Sequence, residues 1–179
     1  NFDTKNVTDM RGMFWGVGYM SPDFTLNLSN FDTSKVTDMS YMFAYTGYKS
    51  NTYRLDLSNF DTSNVTAMWS MFDNAARSSV EIDFDITSFN TSNVTNMSSM
   101  FNSFAYSYDK ELTFDLTHFD TSSVVKMNQM FSRFGYNVPK LRIDVSSFDT
   151  SKVTDMSYMF SETGYNSNDF ELDIRHFDT

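Results

Sequence analysis

The sequence predicts an α/β repeat solenoid, leucine-rich-repeat-like, with a parallel strand ladder on one side and short helices on the other. Three observations carry that reading. The tripeptide Phe-Asp-Thr, or Phe-Asn-Thr, begins at Phe2, Phe31, Phe60, Phe89, Phe119, Phe148 and Phe177, spaced 29 residues apart except for 30 between Phe89 and Phe119. Met-Phe pairs recur in the same phase, from Met13-Phe14 to Met159-Phe160. Each interval also holds one short run of alternating apolar residues. Self-similarity at a fixed period marks a stacked array in which each unit buries its apolar face against its neighbours. Residues 1–179 therefore read as a single array of six repeats of ~29 residues, with repeat starts near 2, 31, 60, 89, 119 and 148 and a partial seventh at 177.

The strand of each unit is read from period-two alternation: Phe24-x-Leu26-x-Leu28, Tyr53-x-Leu55-x-Leu57, Ile82-x-Phe84-x-Ile86, Leu112-x-Phe114-x-Leu116, Leu141-x-Ile143-x-Val145 and Phe170-x-Leu172-x-Ile174. One buried face over five positions is a strand. Because each strand returns in the same direction, the set should pair in parallel along the array.

The helix of each unit is read from stretches such as Val36, Met39, Met42 and Phe43, with apolar groups at i, i+3, i+6 and i+7. Thr33 and Ser34 suit the N-cap, and Asp38 lies near the positive end of the dipole. Two turns would not hold alone, so stacking must stabilise them. The segment after Met-Phe reads as a turn and return arm. It keeps Gly or Ala followed by an aromatic in most units (Gly18-Tyr19, Gly47-Tyr48, Ala105-Tyr106, Gly135-Tyr136, Gly164-Tyr165), with Ala76-Arg77 as the exception.

Composition narrows function. Thirteen Lys and Arg against 23 Asp and Glu give a formal net charge of −10, which argues against nucleic acid as a partner. With no Cys there is no disulfide framework or thiol nucleophile. No apolar run reaches the ~20 residues that span a bilayer, so membrane insertion is not expected. No nucleophile motif, metal triad or phosphate loop stands apart from the repeat, and a non-catalytic protein is expected. His118 and His176, at one repeat position, read as solvated turn residues.

Equivalent side chains of stacked units form rows ~4.8 Å apart. Twelve of the 13 Met, two per unit from Met10 and Met13 to Met156 and Met159, form a ladder of two such rows and read as core. Outward strand positions give another, Asn27, Asp56, Asp85, Asp115, Asp144 and Asp173, with Arg54 and Arg142 beside it. These five aspartates and two arginines are the candidate interaction face. Like charges at that spacing repel by roughly 1 kcal/mol in a water-like dielectric. A bridging structural Ca²⁺ is one remedy; the favoured one is an Arg-softened, solvated face, so no cofactor is expected. A further row, the aspartates of Phe-Asp-Thr, reads as turn caps, as do the adjoining Thr and Ser rows. Sequons at Asn6, Asn27, Asn64, Asn90, Asn93 and Asn96 are candidate glycosylation sites in a secretory pathway.

The strings LDLSNFDTSNVTAMWSMF (Leu55 to Phe72) and SSFDTSKVTDMSYMF (Ser146 to Phe160) closely resemble the BspA-like, or DUF285, surface repeat of mycoplasma and Gram-positive lipoproteins. The resemblance covers essentially the whole chain. It implies an extracellular, cell-surface solenoid related to leucine-rich repeats and serving adhesion or protein and glycan interaction. Family units are usually shorter and often carry a Cys after Met-Phe, so the longer Tyr-bearing arm is an elaboration. Both termini fall in mid-motif without a polar cap, which raises an alternative: a filament or surface layer built by end-to-end stacking of the chain on itself.

Overall fold

In the computed structural model, which describes residues 2–178, alternation becomes six short strands: β1 (Asp23–Leu26), β2 (Thr52–Asp56), β3 (Glu81–Asp85), β4 (Leu112–Asp115), β5 (Lys140–Asp144) and β6 (Asp169–Leu172). They pair in parallel with equivalent residues opposite one another, Tyr53 with Ile82 and Leu112 with Leu141. The chain winds through about five turns of a β-solenoid. The strand side comprises two three-stranded sheets, β1–β2–β3 and β4–β5–β6. The break between them coincides with the single 30-residue spacing: Ala76 to Ile82 is six steps along the chain, and Ala105 to Leu112 is seven.

The opposite side is not helical; no helix occurs among the described residues. Its backbone divides its hydrogen bonds between two destinations. The N–H groups of Met39, Tyr41, Phe43 and Tyr45 donate to the carbonyls of Ala67, Trp69, Met71 and Asp73 on the next turn, at 2.8–3.0 Å. Those of Met42, Ala44 and Thr46 donate three residues back, to Met39, Tyr41 and Phe43. An α-helix keeps every N–H within itself and has none left for a neighbour. Here tight turns closed by bonds three residues back alternate with inter-turn bonds along the chain.

That geometry needs left-handed residues. Three recur per turn: Tyr41, Tyr45 and Gly47, then Ser70, Asn74 and Ala76, and so on through Tyr158, Glu162 and Gly164. A non-glycine residue there costs ~1–2 kcal/mol, offset by the inter-turn bonds its neighbours make. Thr33 and Ser34 accordingly cap no helix. The Thr33 hydroxyl accepts from the Asp61 N–H and donates to the Asp61 carbonyl on the next turn, each at 2.9 Å. Ser34 closes a local turn onto Asp32 Oδ1. The turn-cap reading of the Phe-Asp-Thr aspartates therefore holds, without the helix.

Between the two sides lies one continuous core. Met39, Met42, Met68, Met71, Met97, Met100, Met127 and Met130 are fully buried, whereas Met13 near one end is exposed. The Phe of each Met-Phe pair forms a stacked column, Phe14–Phe43–Phe72–Phe101–Phe131–Phe160, with centroids 5.4–5.8 Å apart. Such offset pairs add ~0.5–1.5 kcal/mol each beyond area burial.

Candidate ligand-binding face

Alternation that buries Tyr53 and Leu55 turns Thr52, Arg54 and Asp56 outward, and the parallel register aligns those outward residues into three rows. Across the six strands and the residues that adjoin their ends, the rows hold eleven carboxylates against three basic side chains, Arg54, Lys140 and Arg142. Most of the chain's net charge of −10 therefore sits on this one face.

Register brings the candidate residues together in two places. Arg54, Asp56 and Asp85 line one groove of about 450 Å³ with Thr25, Leu26, Leu55, Ser58 and Asp83. Arg142, Asp144 and Asp173 line another of about 320 Å³ with Thr113, Ile143, Val145, Ser146 and Glu171. Asp115 stands in register with Asp144. Arg54 pairs with Glu81 at 3.4 Å, and Arg142 with Asp169 at 3.1 Å and Glu171 at 2.9 Å.

Each aspartate of the row is tied to its own turn. Asp56, Asp85, Asp115, Asp144 and Asp173 accept the N–H of the residue two positions on, Ser58, Thr87, Thr117, Ser146 and Arg175, at 2.8–3.0 Å. The Ser58 bonds hold the Asp56 carboxyl below the ordinary range. The Thr87 and Thr117 N–H groups do the same for Asp85 and Asp115, and Arg175 does so for Asp173. Donated hydrogen bonds favour the charged form, so these four carboxyls stay ionised despite the spacing of the row. Among the described residues no three His, Asp or Glu converge as a metal cluster.

The fold and the face thus come from one repeating unit, which the family comparison identifies. The model described as "Mycoplasma protein of unknown function, DUF285" matches residues 1–104 and again 102–179. The chain belongs to the DUF285 family. No curated protein and no solved structure matches it.

Two features of this DUF285 chain escape a unit-by-unit reading. On the turn side, Tyr19 stacks on Tyr48 at 4.6 Å, Tyr106 on Tyr136 at 4.5 Å, and Tyr136 on Tyr165 at 5.0 Å. Arg77, the exception in sequence, fills the same column. Its guanidinium lies 5.6 Å from the Tyr48 ring and 3.8 Å from that of Tyr106. Stacked ring on ring, with the guanidinium between two of them, the column clamps the turns together. The second feature is His118 and His176. His118 is half-buried while His176 is exposed, and each sets Nε2 on a carbonyl of the preceding turn, Ile86 at 3.0 Å and Val145 at 2.8 Å. Asn59, Ser88 and Ser147 make the equivalent inter-turn bonds elsewhere.

The sequon residues are similarly engaged. Asn64 and Asn93 donate Nδ2 to the Ser34 and Ser63 carbonyls at 2.7 Å, and Asn6 accepts from Lys35. Asn27, Asn90 and Asn96 accept the N–H of Ser29, Ser92 and Ser98.

Proposed function

We infer that this chain is a non-catalytic, extracellular repeat protein of the cell surface, mediating adhesion or protein and glycan interaction. The observation that carries the reading is the outward strand face: ordered, charged and exposed on a rigid ladder whose core does not need it. The family match supports a surface array, and charge of one sign on one face suits long-range capture of a partner. The test is adhesion of the purified chain, on beads, to host cells and to immobilised matrix proteins and glycans at physiological salt. Retention that falls when Asp56, Asp85, Asp144 and Asp173 are changed to Asn supports the reading. Beads that stay unbound on every surface sink it. A chelator added to the same chain should leave both adhesion and melting temperature unchanged, because no cofactor is proposed.

A second reading, end-to-end stacking of copies, is favoured by apolar groups on the outer turns, Phe2, Met13, Phe170 and Ile174, which are exposed. A covering turn, from this chain's own continuation or from another copy, would bury them. Electron microscopy at micromolar concentration decides it: filaments support stacking, and discrete short particles remove it.

A further inference from the structure

The two grooves are copies of each other three turns apart. Outward residues along β1 with the residue that follows, and along β4 with the residue that precedes, read Asp23, Thr25, Asn27 and Glu111, Thr113, Asp115; those of β2 and β5 read Thr52, Arg54, Asp56 and Lys140, Arg142, Asp144. Those of β3 and β6 with the residue that follows read Glu81, Asp83, Asp85 and Asp169, Glu171, Asp173. The order Thr, Arg, acid along the middle row therefore occurs twice, once on each three-stranded sheet. The inward-facing rows are apolar in every turn and would fold equally well without it, so the three-turn period belongs to the surface and not to the core.

We propose that this face binds an extended, basic polypeptide laid along the array, with Lys or Arg side chains four residues apart entering successive grooves. The proposal rests on the binding-module reading and names its partner class. Charge selects the occupant: eleven carboxylates face solvent here against three basic groups. Arg54 is already engaged by Glu81, and Arg142 by Asp169 and Glu171, so among the described residues Asp56, Asp85 and Asp144 have no cation paired with them in either sheet. Among the described residues Asp173 pairs with Arg175 alone, an almost fully exposed side chain whose surface pair yields readily to a competitor. Spacing selects the register. Two paired-strand separations of 4.7–4.9 Å and one similar step across the sheet break between β3 and β4 place the grooves ~14 Å apart, and four residues of an extended chain span ~13.6 Å. Residues i and i+4 of that chain also point to the same side. Arginines three apart would point to opposite sides, and arginines two apart would reach only ~7 Å.

The experiment is fluorescence anisotropy of the whole chain with labelled Ser/Thr peptides carrying two arginines, four, three or two residues apart. The i,i+4 peptide should bind about tenfold more tightly than either isomer, because only it engages both grooves at once. Its affinity should fall as salt rises. Neutralising one groove (Asp56→Asn with Asp85→Asn, or Asp144→Asn with Asp173→Asn) should abolish the advantage of the i,i+4 peptide. The folded state tolerates those changes, since Asn27 holds the same row position and accepts the same turn bond. Equal affinities for the three peptides, or no binding at low salt, overturn the proposal. Adhesion that survives all four substitutions overturns it while sparing the surface-binding reading; register-dependent peptide binding without adhesion does the reverse.

Discussion

A buried threonine hydroxyl needs both a donor and an acceptor, and Thr62 finds them on one residue of the next turn. It donates to the Asn90 carbonyl at 2.9 Å and accepts the Asn90 N–H at 2.8 Å while being 1% exposed. Thr62→Val keeps the shape and orphans both backbone groups, so it should cost about 2–3 kcal/mol in urea unfolding, whereas Thr62→Ser should cost less than half of that. The outward aspartates obey a different rule. Asp56 serves its turn through one oxygen, and an amide oxygen serves equally well at Asn27. Asp56→Asn should therefore leave stability within about 0.5 kcal/mol, and Asp56→Ala should lose about 1 kcal/mol. Equal losses in both variants would mean that charge, not turn geometry, is what the residue supplies.

At the scale of the element, strands and core were legible in the sequence because alternation has only one structural meaning once it recurs in phase. The turn side was misread because Val36, Met39 and Met42 satisfy a helix and a chain of three-residue turns alike. What separates the two is the destination of alternate N–H groups, which exists only between turns. The trace it leaves is faint: all six glycines have positive φ, but tyrosine, serine, glutamine and arginine take the same conformation elsewhere. Arg77 looked exceptional for a similar reason, since its partners lie one turn to either side. The candidate face was visible as a single row of aspartates; its three-turn period appears only when all three outward rows are aligned. Left-handed backbone makes two opposite predictions. Gln129 is exposed at φ 59°, so Gln129→Gly should stabilise by about 0.5–1 kcal/mol as strain relief exceeds the added chain entropy. A Cβ on Gly47 would lie 2.7 Å from Tyr53 Cδ2 and 3.1 Å from Phe24 Cβ, both buried side chains, so Gly47→Ala should destabilise by more than about 2 kcal/mol. Thermal melts of the two variants should move in opposite directions.

For the whole molecule, the question is whether a chain of net charge −10 is held together or pushed apart by its carboxylates. Ten aspartates, Asp32 and Asp56 among them, are held below the ordinary range by hydrogen bonds from neighbouring side chains and N–H groups. Asp73 alone is pushed up, by burial, against bonds from Asn102 and Asn74. A carboxyl held down in the fold contributes stability that is fully present above its unfolded value near 3.9 and is lost as pH falls through its folded value. Asp73 has the reverse sign: between those two values the folded state binds the extra proton, and stability falls as pH rises. Ten groups outweigh one, so the melting temperature should stay level from pH 7 to about 5 and drop progressively below about 4. Relief of repulsion along the strand face works in the other direction over the same range. Asp56→Asn, Asp85→Asn and Asp115→Asn combined remove three of the held-down groups and three repelling charges together. That variant should lose less melting temperature than the parent between pH 5 and 3 if turn bonding governs. A parent chain whose melting temperature climbs steadily on acidification would show instead that repulsion governs, and that the face is kept acidic at a standing cost in stability.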